Sequence, residues 1–110
     1  MKLVKCIIRE DKVDETTDAL KEIDVSGVTL TPVLGRGRGP NPKALYRGSA
    51  YEIRHMPKMM LDVVVSDDSV DDVVRIVMRA ARTGKRGDGR VFVIPVEDAY
   101  TIRTRAGGPD

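Results

Sequence analysis

One local pattern occurs twice in this chain, an apolar run, a helical period and a second apolar run, and the repeat leaves few ways to fold it. The second copy is the clearer. Val70, Val73, Val74, Val77, Met78 and Ala81 recur at helical spacing, which puts them on one face of a helix. Asp67, Asp68, Asp71 and Asp72 come early, while Arg75, Arg79, Arg82 and Lys85 come late, the order the helix dipole favours. Ser69 with Asp72 has the spacing of a capping box, and Gly84 stands where a helix C-terminal glycine belongs. Strands are expected on either side, at 59–65 (MMLDVVV) and 90–96 (RVFVIPV). In the first copy, 2–8 (KLVKCII) reads as a strand. Asp11 is placed to cap a helix carrying Val13, Leu20 and Ile23, and Gly27 ends the connection. The run 28–34 (VTLTPVL) then alternates like a strand, with Pro32 demanding an edge or a bulge.

Strand, helix, strand, long loop, strand, helix, strand predicts a ferredoxin-like α+β sandwich, βαββαβ, with both helices on one face of an antiparallel sheet. The other face is left bare, which in a small domain usually means packing on another subunit. The 110 residues make one domain, 1–110. A hydrophobic fraction of 41% with 33% charge argues for a real core rather than disorder. Net charge is +2, from 19 basic and 17 acidic residues, too mild for bulk nucleic-acid or membrane binding. The single cysteine, Cys6, lies inside an apolar run and reads as a buried strand residue. The start of the chain is too short and too charged for a signal peptide. A cytoplasmic protein is expected.

Two segments carry chemistry. Residues 35–57 (GRGRGPNPKALYRGSAYEIRHMP) hold four glycines, three prolines, four arginines and a lysine against one glutamate. A connection this long is usually functional or disordered. Leu45, Tyr46, Tyr51, Ile53 and Met56 supply apolar anchors that a linker does not need, so the segment reads as a mobile arm for partners. Residues 82–90 (RTGKRGDGR) join the second helix to the last strand. Glycines there let backbone amides converge into a nest for phosphate oxygens, beside Lys85, Arg86 and Arg90. The spacing is not that of a P-loop, and a tight turn also likes glycine. His55 is the lone histidine, and no Cys–His pair or metal-ligand spacing is present. No enzyme is expected.

Four stretches resemble the PII nitrogen signal-transduction family: VTLTPVLGRGR, LYRGSAYEI, PKMMLDVVVSDDSVDDVV and ARTGKRGDGRVFVIPVEDAYTIRT. The last is the most specific, and together they span essentially the whole chain. The resemblance implies a homotrimer with ATP and ADP competing for clefts between subunits. It assigns phosphate contacts to Arg38, Gly87, Asp88, Gly89, Arg90 and Arg103, and adenine or ribose contacts to Thr29, Gly35, Gly37 and Val64. Arg90 stands where lysine is common, and either can meet a phosphate. Lys58 and Gly87 match the site for 2-oxoglutarate. Gly39 counts against that ligand, because relatives that sense it carry a glutamine there whose side-chain oxygen helps hold Mg²⁺. Thr101 replaces a customary phosphate-binding arginine in the 101–110 segment. Tyr51 matches a tyrosine that some relatives carry nucleotidylated, although an apolar anchor is the plainer reading.

The same topology also builds RNA-binding domains, and RGDGRVFVI superficially resembles their stacking motif. Asp88 and Arg90 occupy the aromatic positions, and the chain has one Phe and three Tyr, so few rings are offered to bases. An ATPase using Asp88 lacks a positioned base. By resemblance, Arg47 and Tyr51 of the loop would engage an ammonium transporter or a soluble nitrogen-metabolism enzyme or regulator. PKMMLDVVV and EDAYTIRT look somewhat like the nitrogenase-associated branch. The altered loop start GRGRGPNP also suits a divergent member serving another nucleotide-gated target.

Overall fold

A computed structural model describes residues 1–25 and 27–109. Asp110, the end of the expected C-terminal segment, lies outside the described residues. Strand β1 (Lys2–Ile8) leads through a 3₁₀ turn (Glu10–Lys12) into helix α1 (Val13–Lys21), then β2 (Thr29–Gly35). A hairpin, β3 (Lys43–Tyr46) and β4 (Ser49–Glu52), precedes β5 (Met56–Val65), helix α2 (Val70–Ala80) and β6 (Gly89–Pro95). The main sheet runs β2-β5-β1-β6, with every neighbouring pair antiparallel. This is the ferredoxin-like order that the repeated pattern predicts.

Alternation divides the sheet into two faces. Val4, Cys6 and Ile8 of β1 and Leu61, Val63 and Val65 of β5 are buried, and they form one core with Val13, Leu20, Val73, Val77 and Ala81 from the helical side. Thr16 is also buried on α1, but its hydroxyl donates to the Lys12 carbonyl at 2.7 Å and so carries no unmet polar group inward. The opposite face displays Leu3, Lys5 and Ile7 beside Met60, Asp62 and Val64, and Phe92 and Ile94 are each 38% exposed there. At its centre Lys5 Nζ lies 3.2 Å from Asp62 Oδ1, yet that oxygen has no hydrogen bond of good geometry. β2 pairs with β5 alone. Pro32 therefore sits on an edge strand, where a missing ladder donor is tolerated.

Several local expectations need correction. Asp11 lies inside the 3₁₀ turn and does not cap α1, whose N-cap is Lys12 without a side-chain bond. α1 closes in a turn at Asp24, ahead of Gly27. Asp24 takes φ 64°, and Val25 N→Leu20 O (3.0 Å) with Asp24 N→Lys21 O (3.1 Å) completes a Schellman turn. The box of Ser69 and Asp72 does not form. Ser69 makes no cap bond, and Asp72 accepts from Arg75 instead. Gly84 lies beyond the helix end and serves the following turn.

The largest difference is in 35–57. The expected mobile arm contains the β3–β4 hairpin, with Tyr46 opposite Ser49 and a two-residue turn of Arg47 (φ 51°) and Gly48 (φ 81°). Positive φ at both positions is the twist-matched hairpin turn. β5 also starts three residues earlier than expected, because Gly35 pairs with Met56 at the base of the arm. The hairpin shares no ladder with the main sheet, and the molecule is elongated, 57 × 26 × 22 Å.

Candidate functional site: a basic cleft at the base of the hairpin

The turn after α2 is built around Asp88. Its Oδ1 accepts from the Thr83 hydroxyl (2.5 Å) and Arg9 Nε (3.0 Å), and its Oδ2 accepts from the amides of Thr83 and Gly84 (2.9 Å each). Two amides of the glycine-rich turn thus converge on the chain's own carboxylate. The Thr83 hydroxyl is the main reason the Asp88 carboxyl is held well below the usual carboxylate range. Desolvation works against that lowering, while the Thr83 and Gly84 amides and Arg9 add to it. Asp88 is thus an organiser of the turn, with no lone pair set aside for a ligand. The amides of Arg86 and Gly87 make no hydrogen bond of good geometry among the described residues.

Beyond Asp88 the chain must re-enter the sheet with no room to spare. Gly89 has φ 109°, and a Cβ on it would lie 1.6 Å from the Ile7 carbonyl oxygen. Only glycine meets both demands. The register it permits, Ile8 opposite Gly89 and Ile7 opposite Arg90, carries Arg9 alongside the turn, where Arg9 Nη2 donates to the Arg86 carbonyl at 2.6 Å. Lys58, reaching across from β5, donates to the Gly87 carbonyl. Its ammonium pKa is lowered, first by burial and then by Arg9, with Asp88 and Asp11 partly opposing.

Gly35, Gly37, Lys58, Gly87, Gly89 and Arg90 meet in one cleft of about 600 Å³ between this turn and the base of the hairpin. The sequence missed Arg9 and Arg54, which also line it. Only strand register and the hairpin's return path bring those two in, so no local motif announces them.

The family model for nitrogen regulatory protein P-II matches residues 1–106, a span that includes the cleft, the hairpin and both helices. The chain belongs to the P-II family. Among its relatives, nitrogen regulatory protein P-II of Cereibacter sphaeroides is 43% identical over 110 residues, covering all of this chain and 98% of that protein. Nitrogen regulatory protein GlnK of Escherichia coli K12 is 43% identical over 104 residues, covering 94% of this chain and 93% of its own. The P-II protein of Azospirillum brasilense is 40% identical over the full 110 residues, covering 98% of that protein.

The other residues matched to P-II contacts lie elsewhere. Thr29 stands opposite Asp62, and Val64 opposite Leu3, at the far end of the open sheet face. Thr29 is six residues along β2 from Gly35, roughly 20 Å away at strand rise. Arg38 is exposed just past β2, and Arg103 is exposed in a C-terminal turn closed by Thr101 N→Ala106 O (2.9 Å) and Gly108 N→Ala99 O (3.0 Å). In this P-II chain Arg47 stands at the hairpin tip over the Tyr46 ring, 5.3 Å from its centroid. Tyr51 is 51% exposed opposite Ala44. Among the described residues no helix is long and apolar enough to cross a membrane.

Proposed function

We propose that this chain is a non-enzymatic signalling protein of nitrogen metabolism, working in the cytoplasm as a homotrimer that binds ATP or ADP. The observation that carries this reading is the cleft itself. The amides of Arg86 and Gly87, with Lys58 and Arg90, line the same cleft as the glycine-rich start of the hairpin arm, so a polyphosphate there would touch the arm's base directly. Phosphate is assigned to Gly87, Gly89 and Arg90, with Asp88 shaping the turn. Thr29 and Val64 are too far from the cleft on one chain, and Arg103 does not line it; all three are assigned to a neighbouring copy. Its approach would cover the open sheet face and complete an intersubunit site.

Nucleotide exchange changes the contacts at residues 35–38, and Arg38 swings toward the phosphates when they extend far enough. The hairpin then shifts between populations, which requires ATP and ADP to prefer different arm conformations. Arg47 at the tip and exposed Tyr46 and Tyr51 give the arm a basic, aromatic end suited to an ammonium transporter or a soluble nitrogen-metabolism enzyme. Sensing of 2-oxoglutarate through Lys58 is impaired in this reading, because Gly39 offers no side-chain oxygen. A single-stranded RNA platform is disfavoured, since Phe92 is the one aromatic residue on the open sheet face.

The test is calorimetric titration with ATP and ADP, paired with light scattering. Saturable binding at one site per chain, with a particle three times the 12.1 kDa of one chain, supports the proposal. A monomer indifferent to both nucleotides ends it. Arg90→Ala is expected to weaken nucleotide about tenfold, the loss of one charge-assisted bond.

A further inference from the structure

The cleft is lined by six cations, Arg9, Arg36, Arg54, Lys58, Arg86 and Arg90, and by no Asp or Glu. Of these only Arg9 has an ion pair among the described residues, with Asp88 at 3.0 Å. Asp11 acts on Lys58 from outside the lining. So much unbalanced charge in one concavity suits a ligand carrying several negative charges.

Arg86 sets the form in which that ligand enters. Its side chain lies against the α-carbon of Gly39, where a Cβ would fall 2.6 Å from Nη1 and 3.1 Å from Cδ. The space that a side chain at position 39 would fill is held by a guanidinium. Protein-bound Mg²⁺ usually relies on one or two carboxylates beside the phosphate oxygens. Here Asp88, in the turn beside the cleft, spends both oxygens on four hydrogen bonds, and Glu52 accepts from Asn41. Among the described residues no group of three or more His, Cys, Asp or Glu is placed to hold a metal. The donor set does not fit Mg²⁺, and a cation beside it would add repulsion.

We propose that this cleft takes its polyphosphate as the metal-free anion, with the Arg86 guanidinium beside Gly39 supplying positive charge to the phosphate oxygens. A guanidinium can hold two phosphate oxygens at once, supplying geometry as well as charge. Mg²⁺ in solution then competes by drawing off free polyphosphate. The proposal rests on the adenine-nucleotide reading only for the identity of the ligand, not for its phosphate chemistry.

Calorimetry on the full chain tests it with ATP and with inorganic tripolyphosphate, each in EDTA and in excess Mg²⁺ at matched ionic strength. Binding in EDTA should be tighter than in Mg²⁺ by about threefold or more, because the complexed anion carries less charge. Arg86→Gln should cost about tenfold in EDTA and much less in Mg²⁺, and Arg86→Lys should restore part of the loss. Circular dichroism confirms that each variant is folded. Tighter binding in Mg²⁺, or an Arg86→Gln variant that binds like the parent in EDTA, overturns the proposal. So does the failure of both ATP and tripolyphosphate to bind without metal. If tripolyphosphate binds in EDTA while ATP and ADP do not bind at all, the nucleotide reading falls and this one stands.

Discussion

Arg9 and Asp88, 79 residues apart in sequence, are joined by a 3.0 Å bond from the Arg9 Nε to the carboxylate. That bond ties the end of β1 to the turn before β6. The glycine turn is therefore fastened to the sheet, and the amides beyond it are presented at a fixed place.

Asp88 should stay ionised in acid that protonates ordinary carboxylates. Its folded pKa lies below the unfolded value of about 3.9. Its contribution to stability is therefore fully present above that unfolded value and is lost as pH falls through the folded one. Carbon-detected NMR of the carboxyl should show its titration midpoint well below those of exposed aspartates. A midpoint near 3.9 would show that the four hydrogen bonds do not persist in solution. Asp88→Asn should weaken polyphosphate binding while leaving the main sheet intact, because it removes a charge that orders the turn.

Gly89→Ala should be far more damaging than an ordinary glycine substitution. The added methyl group meets backbone, the Ile7 carbonyl, rather than a flexible side chain, and φ is 109°. The β1–β6 ladder has to shift or part near this end. Hydrogen exchange at Val91 and Val93 should accelerate sharply. Unchanged protection would mean that the close approach is relaxed in solution.

Leu61→Ala removes a fully buried side chain from the centre of β5. A loss of about 2–5 kcal/mol is expected from lost transfer energy plus the cavity left behind. Denaturant titration of the assembled protein measures it at fixed protein concentration, since assembly shifts the apparent value.

Cys6 should be inert in the native protein. Burial, with a smaller contribution from the Asp62 charge, pushes its thiol up to about 12, so almost no thiolate exists at mildly alkaline pH. A chromogenic disulfide reagent should find no thiol in the folded chain and one per chain in denaturant. Rapid labelling of the native protein would place Cys6 nearer the surface than its 0% exposure indicates.

The order of the elements was legible in the chain because hydrophobic period is a local property. Val70 to Ala81 repeats at helical spacing whatever lies nearby, and 2–8 and 59–65 alternate toward one core. The glycine and basic residues of 82–90 were legible for a similar reason, since a turn needs its own residues. Helix ends were less so. Asp11 and the Ser69/Asp72 pair have capping chemistry, yet neither caps, because a 3₁₀ turn precedes each helix and moves the side chains off the open amides. The hairpin went unread because glycine, proline and charge mask its short strands, and Arg-Gly is an unusual pair for a turn with two positive φ angles.

What sequence by itself determined is the βαββαβ path and a basic glycine turn, both products of neighbours within a few residues. Tertiary structure alone decided where the turn's charges point. Antiparallel register brought Arg9 to Asp88 and Lys58 to Gly87, and the folded-back arm laid Gly39 under Arg86. Contacts between residues tens of positions apart depend on pairing and on loop closure, and no local run of side chains encodes either.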